Sequence, residues 1–176
     1  MHLFAASPLE TPDVNDKDAL ARYILARDAR VACLKLLLAA KADVTSRDAA
    51  GNTPLHVAIL AANDTHANLE VIMPLTSKET INLPGNHGET PLADAIRVQQ
   101  YDITKILISR GANVNHADID GVTPLHQAVT ARNLRLIEIL LDNKADPTLA
   151  DKAGKTARQL ADEEQDAAIV KLFNIK

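Results

Sequence analysis

Six histidines, at positions 2, 56, 66, 87, 116 and 126, are the side chains in this sequence with the widest chemical reach near neutral pH. No two of them stand four residues apart on a helical pattern with a third ligand nearby, so the spacing of a zinc protease is absent. Cys33 has no histidine beside it in sequence and lies in the apolar run 31 to 38, where it reads as a small buried core residue. Gly85-Asn86-His87-Gly88 is too short to cradle a phosphate and leads into no Lys-Ser or Lys-Thr, and no Gly-x-Ser-x-Gly elbow occurs. Asp162, Glu163, Glu164 and Asp166 gather carboxylates near the C-terminus, but a charge run of this kind reads as a solvated face. The residues therefore point away from an enzyme and imply no cofactor and no metal; an enzyme or metal-binding protein on a helical scaffold remains the weakest of the readings.

The elements that hold these side chains repeat. Gly121-Val122-Thr123-Pro124-Leu125-His126-Gln127-Ala128 recurs as Gly51-Asn52-Thr53-Pro54-Leu55-His56-Val57-Ala58 and as Gly88-Glu89-Thr90-Pro91-Leu92-Ala93-Asp94-Ala95. A weaker copy, Gly154-Lys155-Thr156-Ala157-Arg158-Gln159-Leu160-Ala161, follows. The glycines at 88, 121 and 154 are 33 residues apart, and those at 51 and 88 are 37 apart. Glycine supplies the positive φ that a tight polar turn needs. Threonine can cap a helix, proline suits its first position, where the missing N–H costs nothing, and the leucine and alanine that follow open a buried stripe.

This 33-residue period carrying Thr-Pro-Leu-His resembles the ankyrin repeat over roughly residues 18 to 176. The resemblance implies an all-α fold, an ankyrin-repeat solenoid of stacked helix-turn-helix units joined by hairpin-like loops. Five repeats are expected, at about 17–50, 51–87, 88–120, 121–153 and 154–176, of which the first and last are atypical caps. Residues 1–16, with Pro8 and Pro12 among polar residues, read as an extended or mobile segment. In the family the histidine after Leu bridges backbone groups of neighbouring repeats. That role falls to His56 and His126, and Ala93 implies one missing link.

The second repeat departs most from the pattern. Asn63-Asp64-Thr65-His66 occupies an insertion between its helices, and Pro74 falls near the position held by Leu107 and Leu140 in the next repeats, which predicts a kink or an early helix end. Lys78-Glu79 replaces the Gly-Ala of a standard exit turn. By contrast, Leu134, Leu136, Ile137, Ile139, Leu140 and Leu141 make the fourth repeat's second helix the best apolar stripe of the chain.

Composition agrees with thin helical layers. Of the 176 residues 47% are hydrophobic, yet two Tyr, two Phe and no Trp leave the core to Leu, Ile, Val and Ala. A net charge of −4 and no Lys/Arg cluster argue against nucleic acid as a partner. No apolar run is long enough to cross a membrane and no basic, apolar leader opens the sequence, so the chain reads as a cytoplasmic monomer. What the resemblance implies for function is a non-enzymatic protein–protein interaction module that holds a partner protein on its concave face and finger loops. A regulatory inhibitor or immunity-like protein that masks an enzyme is the alternative. Carried over by position, the partner-binding residues are Arg47, Asn52, Asn86, His87, Glu89, Arg97, Ile119, Asp120, Val122, Thr130, Lys152 and Lys155.

Overall fold

The computed structural model describes residues 32, 33, 35–61, 69–163 and 166–175. The expected mobile segment 1–16, most of the first helix of the N-terminal cap and the insertion at 63–66 lie outside the described residues. Helices come in pairs. After helical residues 35–39 come α1 (Pro54–Leu60) and α2 (Leu69–Leu75), then α3 (Pro91–Arg97) and α4 (Tyr101–Ser109). The series continues with α5 (Pro124–Thr130) and α6 (Leu134–Asp142), and ends with α7 (Ala157–Glu163) and α8 (Ala167–Ile175). The short helices α1, α3, α5 and α7 pack in a row, each lies against its own second helix, and α6 meets α8 in the layer behind. Apart from an isolated bridge between Ala150 and Thr156, the described residues hold no strand pairing.

Each short helix starts as its residues demand. Thr53, Thr90 and Thr123 have extended backbone at the cap, proline follows at the first helical position, and the Thr90 and Thr123 hydroxyls accept backbone amides of α3 and α5. Leu55, Leu92 and Leu125 then enter the core fully buried, with Ile59, Ile96 and Val129 one turn later. Ala95, Ala128 and Ala161, also fully buried, keep the inner helices close together. Of the expected stripe on α6, Leu136, Ile137, Ile139 and Leu140 are buried and Leu141 is half-buried, whereas Leu134, at the first helical position, is exposed.

The second repeat is shifted by one residue from the expected register. Pro54 to Leu69 spans fifteen positions against ten from Pro91 to Tyr101, whereas Leu75 to Gly88 spans thirteen against fourteen from Leu107 to Gly121. Leu75, not Pro74, therefore fills the core slot of Leu107 and Leu140, and Pro74 faces solvent one residue before the end of α2. The exit differs as its sequence predicts. Gly111 at φ 96° and Lys144 at φ 66° turn the chain after α4 and α6 through the left-handed region, so that the amides of Ala112 and Ala145 reach the carbonyls of Leu107 and Leu140. After α2 the buried hydroxyl of Thr80 donates to the Leu75 carbonyl instead, and Arg110 reaches across from the next repeat to the carbonyl of Met73, at 2.9 Å, and to Thr76.

Cys33 is exposed, which corrects the expectation of a buried thiol. Its register is buried at Ile103 and Leu136 but only half-buried at Val71, so this position leaves the core toward the N-terminal end of the stack.

Candidate functional site

The loops between pairs fold as fingers on one repeated plan. Asp118 accepts the amides of Asp120 and Val122 on its carboxylate, its carbonyl accepts from Gly121, and its own amide donates to Val122. Asp48 does the same for Ala50, Asn52 and Gly51, and Asp151 for Lys155 and Gly154. Gly85 stands in this place in the second finger and supplies only the main-chain half of the network. The tips are linked to each other as well. The Ile119 amide donates to the His87 carbonyl at 3.0 Å, and Lys152 donates to Asp120 at 2.9 Å. Arg47 ties the first finger to the second by donating to the carbonyls of Gly51 and Pro84.

At the finger roots the two histidines lock repeat to repeat. His126 accepts the Thr123 amide on Nδ1 at 3.1 Å and lies 3.1 Å from the Lys155 carbonyl through Nε2. His56 makes the same pair of contacts with Thr53 and Glu89, at 3.2 and 3.1 Å. Each ring must therefore accept at Nδ1 and donate at Nε2, which is the neutral imidazole. Burial pushes the His56 pKa below the ordinary histidine value, against the pull of Asp94. At Ala93 no side chain makes this link, and Val122, which would receive it, accepts the Asp118 amide and no other among the described residues.

Five of the expected partner-binding residues meet in one cleft of about 200 Å³ between the first two fingers: Asn52, Asn86, His87, Glu89 and Arg97, with His56 and Asp94 at its floor. Asn86 lies over Gly51 so closely that a Cβ there would stand 2.0 Å from its Oδ1. Asp94 is 4% exposed and Arg97 donates to it at 2.9 Å. Burial raises the Asp94 pKa above the usual carboxylate range, with Arg97 and His56 pulling it back. Sequence reasoning missed Asp94. Its signal was an acidic residue at the register of Val57, Gln127 and Leu160.

The other expected residues are spread along the stack. Ile119 is 51% exposed at the third tip, with Asp120 exposed and Val122 half-buried beside it. Lys152 is exposed at the last tip, whereas Lys155 turns away to pair with Glu163 at 2.6 Å. Thr130 is exposed on the last turn of α5, its hydroxyl donating to the His126 carbonyl. Among the described residues no three His, Cys, Asp or Glu side chains gather closely enough to hold a metal ion.

A family model described as ankyrin repeats in three copies matches residues 23–118 and, in a second overlapping span, 61–151. The chain belongs to the ankyrin-repeat family. Among curated proteins this ankyrin-repeat chain is 34% identical over 83 residues to the nuclear factor NF-kappa-B p100 subunit of Xenopus laevis, a span that covers 47% of this chain and 9% of that one. It is 37% identical over 82 residues to the ankyrin repeat protein OPG189 of Variola virus, covering 47% and 14%. The matched span is thus a small part of each relative's length. No helix among the described residues is long and apolar enough to cross a membrane.

Proposed function

We propose that this ankyrin-repeat domain is a non-enzymatic module that holds a partner protein along its finger tips and inner groove. The observation that carries the reading is the rail of fingers. Backbone bonds join tip to tip from His87 to Lys152, so the surface is preorganised, and Ile119 projects from its middle half exposed while making no contribution to the buried core. Preorganised surfaces lose little entropy on binding, and an exposed aliphatic at the centre of a polar rim is a common contact residue. The net charge of −4 supports a protein in preference to a nucleic acid, and helices among the described residues that are all too short to cross a membrane are compatible with a cytoplasmic location.

A pull-down comparing the wild type with an Ile119→Asp, Val122→Asp double variant tests the assignment. Loss of the native partner with an unchanged melting curve is expected. Unaltered partner recovery would place the interface elsewhere.

A further inference from the structure

The second finger and the helix that follows it depart from the common pattern at four positions, and two of these residues, Asp94 and Arg97, line the cleft. Asp94 stands where other repeats have Val57, Gln127 and Leu160. Arg97 replaces Leu60 and Thr130, Ala93 replaces a bridging histidine, and Gly85 replaces the finger aspartate. None of these helps the stack. Burying the Asp94 carboxylate gains less than an apolar residue of similar volume would, and a lost histidine bridge or turn carboxylate removes hydrogen bonds. Residues that break a structural rule together, at one place, mark a binding site more often than a fault.

We propose that this cleft receives one lysine or arginine side chain from an extended segment of the partner protein, its cationic head between the carboxylates of Glu89 and Asp94. The inference rests on the partner-binding reading above and narrows it to a chemistry. Asp94 sits at the floor with one oxygen held by Arg97, whose own side chain is 55% exposed and so can move toward solvent without being stripped of water. Glu89 forms the wall, and its carboxylate has no hydrogen bond or ion pair among the described residues. The amides of Asn52 and Asn86 flank it and can each pair with a peptide group of the incoming segment. About 200 Å³ admits one long side chain and falls short of the roughly 300–1,000 Å³ of small-molecule sites.

Charge decides among occupants. An anionic side chain would find only Arg97, already paired with Asp94, to set against two carboxylates, and an apolar one would strip water from Glu89 without replacing it. A cation satisfies both, in a partly desolvated place where such a pair discriminates between partners more sharply than one on an exposed rim.

Selection of a randomised linear peptide library on the intact protein tests this, with amide hydrogen exchange showing where each recovered peptide sits. The expected peptides protect residues 85–98 and carry one Lys or Arg at a constant position. Replacing that residue with Gln should weaken binding at least about tenfold, and Glu89→Gln or Asp94→Val in the protein should do the same, tenfold being about 1.4 kcal/mol. Glu89→Gln serves as the arm that leaves the core untouched. Peptides that protect 85–98 yet need no basic residue would overturn the proposal and leave the groove reading standing. Peptides that bind only outside the fingers and groove, or none recovered at all, would contradict both.

Discussion

His56 Nε2 lies 3.1 Å from the carbonyl oxygen of Glu89, in the next repeat, so one buried ring joins the cap of α1 to the root of the second finger. The same ring accepts the Thr53 amide at 3.2 Å, and His126 repeats the arrangement between Thr123 and Lys155. Removing such a ring leaves a buried donor without a partner. His126→Ala should cost about 1–3 kcal/mol. In the other direction, Ala93→His should add a bridge to the Val122 carbonyl and raise the melting temperature. A fall on that substitution would show that Asp94 and Arg97 have taken the space.

Acid should loosen this junction. The folded-state pKa of His56 is depressed by burial, so its contribution is fully present above the ordinary value of about 6.5 and is lost as pH falls from there toward the folded pKa. Asp94 works in the opposite sense. Its folded pKa is raised by burial, so the folded form binds a proton first and gains stability as pH falls through that value. Glu89 and Arg47 also face the ring, the first favouring and the second opposing its protonation. Denaturant melts between pH 7 and 5 should therefore show a steeper acid loss for Asp94→Val than for the wild type, because the ring has lost the carboxylate that favours its protonation. Equal slopes would contradict the coupling.

Much of this architecture was legible because each residue of the Thr-Pro-Leu-His figure obeys a local rule: cap, first helical position, core, bridge. The finger aspartates obey one too, and Asp48-x-x-Gly51, Asp118-x-x-Gly121 and Asp151-x-x-Gly154 could have been read as side-chain turns. The register of α2 could not. Val71, Ile72, Met73 and Leu75 give an apolar stripe under either alignment, and only the packed core separates Leu75 from Pro74. Nor does spacing show that Lys155 reaches Glu163, since both are surface charges whose pairing depends on how the last pair of helices docks.

Glycine substitution separates two costs. Gly111 has φ 96° with nothing within 4 Å of an added Cβ, so Gly111→Ala meets only backbone strain, about 1–2 kcal/mol. Gly88 has φ 83° and its Cβ would lie 2.9 Å from the Ile119 amide nitrogen, so Gly88→Ala must also push a neighbouring finger. Thermal melts should rank Gly88→Ala as the more damaging. Lys144, at φ 66° in the position of Gly111, gives the converse test, and Lys144→Gly should stabilise by roughly 1 kcal/mol.

Pro74 is exposed on the last turn of α2 and removes the amide that would bond the Glu70 carbonyl. Pro74→Ala should stabilise by about 1–3 kcal/mol, below or near the roughly 3 kcal/mol cost of proline in a helix interior. A lower melting temperature would mean that the turn built by Thr80 and Arg110 depends on the fixed φ of proline.

A protein partner held on the fingers and inner groove, as proposed, should come within reach of the third tip and not of the second-layer helices. Site-specific photo-crosslinking in the native cell tests it most directly, with the reactive group placed at Ile119 on the third tip or at Glu138, exposed on the second-layer helix α6. One discrete adduct is expected from position 119 and none from position 138. An adduct from 138 alone would contradict the proposal.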